Sequence, residues 1–140
     1  MKTLKLTLLV MFLAWSQHSI AQEKEHKIVF QFTNANDTLQ QKAFVKQLEN
    51  LTEHWPSAQV EVVLYSFGLE LMMQGNNKLT PRLNELHKKG VRFVICENSI
   101  KSRKLNKDVF IKELVGYVPA GVAEIVEKQE QGWSYIKGGF

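Results

Sequence analysis

The sequence predicts an α/β fold in which helices cover both faces of a parallel sheet. Short apolar runs suited to buried strands alternate along the chain with amphipathic helical segments. Such alternation favours a parallel sheet, because parallel strands need long crossover connections that are usually helices. Right-handed crossovers place all the strand-to-helix turns at one edge of the sheet. We therefore expect any ligand site or chemistry at that edge.

Five segments have the composition of strands, and the third is the most distinctive. Residues 91–96 follow a glycine, are rich in β-branched side chains and end in a cysteine. The other predicted strands are residues 27–33, 60–65, 115–118 and 133–136.

The segments between the strands carry helix signals. Asp37 and Gln40 have the spacing of a capping box, and apolar residues then recur at helical intervals up to residue 55. Thr80 with Pro81 begins another helix, which Gly90 ends as a C-terminal cap. Further helices are expected from near residue 98 and over residues 122–131, with a short helical piece at residues 69–73.

Residues 1–21 have the layout of a secretory signal peptide. Two lysines near the start precede an apolar run over residues 6–15, and Ser19 and Ala21 are small residues at the positions a signal peptidase reads. The run is too short to cross a bilayer, which needs about 20 residues. We expect cleavage after Ala21, a single domain over residues 22–140, no stable membrane anchor, and a periplasmic or otherwise exported product.

Charge and composition argue against several classes of function. The chain has 18 Lys and Arg against 14 Asp and Glu, a net charge of +4, and cleavage would remove two of the lysines and leave +2. A nucleic-acid partner is not expected, since no aromatic platform or recognition motif accompanies this small excess. The histidines lack ligand spacing, and there is no glycine-rich phosphate loop or Ser/His/Asp arrangement. We expect no metal and no cofactor.

Cys96 is the only cysteine of the chain. It cannot form an internal disulfide, so it is buried and inert, paired with another chain, or a free reactive thiol. Asn98 and Ser99 are residue types that cap helices, so the thiol is expected near a helix amino end. That position, with cations from residues 101–104, would favour a thiolate, whereas Glu97 opposes one. A packing role is the alternative, because free cysteine is among the most buried residue types.

Three fragments, residues 94–99 (VICENS), 119–122 (PAGV) and 129–137 (QEQGWSYIK), together resemble the DsrE/DsrF-like family of small α/β sulfur-metabolism proteins. The likeness extends from about residue 27 to residue 137. It implies a three-layer α/β/α fold with a five-stranded parallel sheet, and assembly as trimers or hexamers. In sulfur-relay members a cysteine after the third strand carries sulfur as a persulfide, and Cys96 is the residue that matches it.

The expected site has Cys96 as its catalytic residue, with a set of binding residues drawn from the turns at the same edge and from the segment that follows Cys96. These are Asn34, Ser66, Gly68, Asn98, Ser99, Arg103 and Gly121. Two functions stay open. One is a sulfur carrier or sulfurtransferase-like protein with a donor or acceptor protein as partner. The other is a non-catalytic, oligomeric periplasmic binding protein in which Cys96 is a buried packing residue.

Overall fold

The computed structural model describes residues 25–75 and 78–139. The predicted signal peptide, residues 1–21, lies outside the described residues. The strands are β1 Lys27–Phe32, β2 Gln59–Leu64, β3 Arg92–Cys96, β4 Val115–Val118 and β5 Ser134–Lys137. The α-helices are α1 Thr38–His54, α2 Thr80–Lys88, α3 Glu97–Ser102 and α4 Gly121–Glu130, and 3-10 helices occupy Ser66–Met72 and Lys107–Val109.

The five strands form one sheet in the order β4-β3-β2-β1-β5, and every neighbouring pair is parallel. The predicted five-stranded parallel sheet is therefore confirmed. β2 lies at the centre, where Val62 pairs with Phe30 of β1 and with Phe93 of β3. Because all the strands run the same way, their carboxyl ends meet at a single edge.

One face of the sheet packs against α1 and α2. Inward-facing residues such as Phe30 and Phe93 form a continuous core with Phe44 and Leu48 of α1 and with Leu83 of α2. All five are at most 1% exposed. Burial of large side chains on this scale is the main stabilising contribution to such a domain.

The opposite face carries a smaller core of Val29, Val63, Val94 and Val118, which packs against Ile125 of α4. Helices thus lie on both faces, which confirms the three-layer α/β/α arrangement. The cover on this second face is thinner, because the described contacts supply only α4 there.

Local signals in the sequence account for several element boundaries. The amide of Leu39 donates to the Asp37 carboxylate at 2.8 Å, so Asp37 is the N-cap of α1. Gly90 follows the end of α2 with φ +92°, a conformation that suits glycine. α3 begins at Glu97, one residue earlier than predicted, so Cys96 is both the last residue of β3 and the N-cap of α3.

None of the helices in residues 25–75 and 78–139 is both long and apolar enough to cross a membrane.

Candidate functional site

Cys96 lies at the carboxyl edge of the sheet, where two helices begin. Its thiol is free and the residue is 5% exposed. The turn after β4 passes beside it, since the amide of Asn98 donates to the carbonyl oxygen of Pro119 at 3.3 Å. Gly121 then begins α4, and a Cβ at Gly121 would lie 3.2 Å from the Cβ of Cys96. The missing side chain allows the amino end of α4 to approach the cysteine this closely.

Hydrogen-bond donors surround the Cys96 sulfur. Burial raises the pKa of the thiol, but hydrogen bonds from the amide of Gly121, from the hydroxyl and amide of Ser99, and from the amide of Asn98 outweigh burial and lower the pKa. The Cys96 side chain makes no capping hydrogen bond to α3 in this structure, and hydrogen-bond donors close to a cysteine sulfur favour its charged form. The arrangement therefore favours a thiolate, which is the nucleophilic form of cysteine.

The Ser99 hydroxyl contacts Ser66, the first residue of the 3-10 helix that follows β2. The amide of Ser66 donates to Ser99 Oγ at 2.9 Å. Ser66 has φ +54°, a left-handed conformation that is uncommon for a residue with a side chain. Because the hydroxyl oxygen accepts from Ser66, the hydroxyl proton remains available for the Cys96 sulfur.

Arg103 forms its described hydrogen bonds with this 3-10 helix, Ser66–Met72, and not with the thiol. Its guanidinium binds both carboxylate oxygens of Glu70, at 2.6 and 3.2 Å, and donates to the carbonyl oxygen of Ser66 at 3.0 Å. It also lies 5.0 Å from the centre of the Phe67 ring. The sequence suggested that cations of residues 101–104 act on the thiol, but the Arg103 charge is paired with Glu70.

Glu97, the acidic neighbour of Cys96, is also paired. Lys107 Nζ lies 2.5 Å from its carboxylate and lowers the pKa of Glu97. The same ammonium group lies 4.1 Å from the centre of the Tyr117 ring. The repulsion between Glu97 and the thiolate is thus weakened by a nearby cation.

Two of the predicted binding residues lie apart from these contacts. Gly68 packs against the end of β1, where a Cβ would come 2.0 Å from the carbonyl oxygen of Phe32. Its position is explained by this close approach of two backbones. Asn34 follows β1 and is exposed, and none of the hydrogen bonds described around Cys96 involves it. The structure brings together Cys96, Ser66, Asn98, Ser99, Arg103 and Gly121.

Three polar residues that lie together on the α4 face of the sheet were not identified from the sequence. Gln31 Nε2 donates to the Tyr65 hydroxyl at 2.5 Å, and the Tyr135 hydroxyl donates to Gln31 Oε1. Burial, and then the charges of Tyr135 and Cys96, raise the pKa of Tyr65. This phenol therefore stays protonated well above neutral pH. Gln31 within an apolar strand was the one signal that could have indicated this polar row.

No group of three or more His, Cys, Asp or Glu side chains within residues 25–75 and 78–139 is arranged to hold a metal ion. Two clefts border Arg92 at the amino ends of the strands, one of them also lined by Trp133 and Lys89. Neither is lined by the residues around Cys96, so the candidate chemistry lies at the opposite edge of the sheet.

Fold and site together define a small parallel α/β domain that holds one cysteine at the carboxyl edge, among the amides of two helix starts. The family model described as "DsrE/DsrF-like family" matches residues 13–137, and the chain belongs to this family. No curated protein matches the chain.

Solved structures agree with this assignment. The chain is similar to the protein of unknown function MTH1491 from Methanobacterium thermoautotrophicum, with 27% identity, a TM-score of 0.73, and coverage of 81% of this chain and 99% of that one.

Two more distant structures share the fold alone. One is the conserved protein of unknown function BT1422 from Bacteroides thetaiotaomicron, with 13% identity, a TM-score of 0.60, and coverage of 79% of this chain and 93% of that one. The other is the ychN protein from E. coli, with 11% identity, a TM-score of 0.64, and coverage of 81% and 99%.

Proposed function

We propose that this protein is a sulfur carrier that holds sulfur as a persulfide on Cys96. The observation that carries the proposal is the set of donors around the Cys96 sulfur, which come from Gly121, Ser99 and Asn98 and lower the pKa of the thiol. Membership of the DsrE/DsrF-like family supports a role related to sulfur metabolism. A thiolate at this edge is the group that such a role requires.

The transfer step needs no external oxidant. The Cys96 thiolate attacks the outer sulfur of a donor persulfide, R–S–SH, and forms a new S–S bond. The donor's S–S bond breaks, and its electron pair leaves on the donor as the thiolate R–S⁻. Cys96 then carries the –S–SH group. The oxidation level of the transferred sulfur is unchanged, because one sulfur–sulfur bond replaces another.

Release of the sulfur is assisted by the same hydrogen-bond donors around Cys96. An acceptor thiolate attacks the outer sulfur of the Cys96 persulfide, and Cys96 departs as a thiolate. A leaving thiol with a lower pKa departs faster in thiol–disulfide exchange, and the same reasoning applies to a persulfide. The amides that stabilise the free thiolate therefore also assist unloading.

The test is to load the folded protein with inorganic polysulfide, remove the excess and measure its intact mass. The expected result is the gain of one sulfur atom that dithiothreitol removes. The matched control, Cys96→Ser, should keep the fold and gain nothing. Equal uptake by the control, or no uptake by the native protein while the unfolded chain is readily loaded, would rule out the proposal.

A second candidate is a non-catalytic binding protein in which Cys96 only packs. The observation that favours it is burial, since Cys96 is 5% exposed. Thiol labelling of the folded protein separates the two functions. Labelling only after unfolding would favour this second candidate, whereas labelling of the folded protein favours the carrier.

Export and self-assembly are also proposed. The layout of residues 1–21 supports a cleaved signal peptide and a periplasmic or otherwise exported protein. The intact mass of the protein from its own cell tests this, with a first residue of Gln22 expected. The family resemblance supports a trimer or hexamer, with a sulfur donor or acceptor protein as the transient partner.

A further inference from the structure

Arg103 connects the end of α3 to the 3-10 helix that follows β2. Its guanidinium makes three described hydrogen bonds, two to Glu70 and one to the carbonyl oxygen of Ser66. The side chains of Arg103 and Glu70 are 24% and 27% exposed, so the ion pair is shielded from most of the solvent. Bidentate pairing of this kind fixes both the position and the plane of the guanidinium.

Ser66 is held from both sides by the α3 segment. Its carbonyl oxygen accepts from Arg103, and its amide donates to Ser99 Oγ at 2.9 Å. Its φ of +54° is a conformation that a serine keeps only when its surroundings impose it. Loss of the Arg103 contact would free the peptide to leave this conformation and would move the amide away from Ser99.

We propose that Arg103 is a positioning residue for Cys96. By holding the Ser66 carbonyl, Arg103 keeps the Ser66 amide on Ser99 Oγ and so directs the Ser99 hydroxyl proton to the Cys96 sulfur. We call Arg103, Ser66 and Ser99 the positioning chain. The proposal rests on the proposed function for its use in sulfur transfer, but its effect on the thiol does not require that function.

The physical reason is the hydrogen-bonding capacity of a hydroxyl group. Ser99 has one proton to donate and two lone pairs. A hydroxyl without the Ser66 contact rotates freely and spends part of its time bonded to water. Accepting the Ser66 amide restricts this rotation and polarises the O–H group toward its acceptor. The Ser99 side chain is one of the groups that lower the pKa of Cys96, which is the effect that a hydroxyl donating to the sulfur would have.

The test is a pH titration of Cys96 by the ultraviolet absorbance of its thiolate, with the Cys96→Ser variant subtracted to remove the tyrosine signal. This readout does not require a reagent to enter the site. We expect Ser99→Ala to raise the pKa, with about tenfold less thiolate at neutral pH for one lost charge-assisted hydrogen bond. Arg103→Gln should reduce the thiolate fraction by about threefold, because the hydroxyl stays but loses its orientation.

A direct charge effect of Arg103 is the competing explanation, and two variants separate it from positioning. Lys101 belongs to the same helix and is exposed. Lys101→Gln removes the same charge and should leave the titration unchanged. Glu70→Gln removes a negative charge, so a direct charge effect would lower the pKa of Cys96. The positioning chain predicts that the pKa rises, because Arg103 loses its anchor.

A double variant completes the test. In a Ser99→Ala background, Arg103→Gln should cause no further shift, because the group through which it acts is gone. Arg103→Lys should restore part of the effect, since lysine can still donate to the Ser66 carbonyl. The proposal is overturned if Arg103→Gln shifts the titration equally with and without Ser99, or if Lys101→Gln shifts it as much.

Failure of this proposal is distinguishable from failure of the carrier function. If the Cys96 titrations match the expected shifts but the protein never takes up sulfur, the positioning chain is supported and the carrier function is excluded. If Arg103→Gln does not fold, the positioning chain is tested by Glu70→Gln and Arg103→Lys, from the sign and size of the shift that each causes in the pKa of Cys96.

Discussion

A Cβ on Gly121 would lie 3.2 Å from the Cβ of Cys96, and at the same distance from Tyr65 and from Val63. The start of α4 is therefore packed against the cysteine on several sides. The amide of Gly121 is also the strongest of the groups that lower the pKa of the thiol. Close packing and electrostatic stabilisation of the sulfur depend on the same residue.

We expect Gly121→Ala to raise the pKa of Cys96. The added methyl group must push α4 away by a few tenths of an ångström, which weakens the contact of its first amide with the sulfur. The reactive thiolate fraction at neutral pH should fall about two- to fivefold, the range for losing a helix-terminus contribution of up to about 1 kcal/mol. Alkylation rate against pH is the measurement.

Gly116→Ala is the matched control for this change. A Cβ at Gly116 would lie 3.5 Å from Val94, an ordinary contact distance, and the residue has no left-handed φ. Its alkylation profile should match that of the native protein. An unchanged profile for Gly121→Ala would show that α4 contributes nothing to the reactivity of Cys96.

Gly68→Ala should destabilise the domain. A Cβ there would lie 2.0 Å from the carbonyl oxygen of Phe32, and a buried backbone cannot move aside as a flexible side chain would. We expect the free energy of unfolding to fall by about 1–3 kcal/mol or more, as for other overpacked sites. Urea unfolding measures it, with Gly116→Ala again as the control. A loss similar to that of the control would contradict the close approach.

Glu61 should make stability depend on pH above the usual range for carboxylates. It is fully buried in β2, and Lys128 and Arg92 each approach its Oε2 at 3.2 Å. Neither carboxylate oxygen has a hydrogen bond of normal geometry within the described residues. Burial raises the pKa of Glu61 and the nearby Glu124 raises it further, whereas Lys128 and Arg92 lower it without cancelling the rise.

The sign of this effect is set by the raised pKa. The folded state holds the Glu61 proton more tightly than the unfolded state, whose pKa is near 4.5. The contribution of Glu61 to the free energy of unfolding is therefore fully present below that pH and is lost as the pH rises through the folded pKa. Glu61→Gln should flatten the free energy of unfolding over this interval in a urea series at increasing pH.

Glu49→Gln is the control for Glu61. The hydrogen bond from Arg82 lowers the pKa of Glu49, so its contribution to stability is present above 4.5 and lost only as the pH falls below that value. Glu49→Gln should keep the fall in the free energy of unfolding at higher pH. If Glu61→Gln also kept this fall, the buried Glu61 carboxyl would not be its cause.

The α4 face should be a surface for self-association. Val122, Val126 and Tyr135 are 61%, 47% and 42% exposed, and all belong to this thinly covered side of the sheet. We expect light scattering to show a trimer or hexamer, and Val122→Glu with Val126→Glu to reduce it to smaller species. Leu39→Glu on α1 is the control, since Leu39 is 63% exposed on the other side. A native monomer would exclude the assembly.

Much of the fold was predictable because its signals are local. The cap at Asp37, the glycine at Gly90 and the apolar strand runs each depend on a few neighbouring residues. Asn98 and Ser99 were expected near Cys96 for the same reason, since all three belong to one strand-to-helix turn.

The rest of the site depends on contacts between residues far apart in the chain. Arg103 meets Glu70 across 33 positions, and Gln31 meets Tyr135 across 104. No local pattern indicates which carboxylate will neutralise Arg103. The sequence therefore indicated a cation acting on the thiol, whereas the packing of α3 against the 3-10 helix after β2 pairs that cation with Glu70.

Because β5 pairs with β1, one side of β1 has no partner strand until β5 has been synthesised. β1 is synthesised first and pairs with β2 on one side, but the partner for its other side is residues 134–137, near the end of the chain. Until then β1 presents a row of unpaired amides and carbonyls, the kind of exposed edge that recruits a strand from another molecule. A chain interrupted before Ser134 would keep that edge permanently. When β5 docks, it covers this edge of β1 and becomes the edge strand itself with only 4 residues, and it also brings Tyr135 to Gln31.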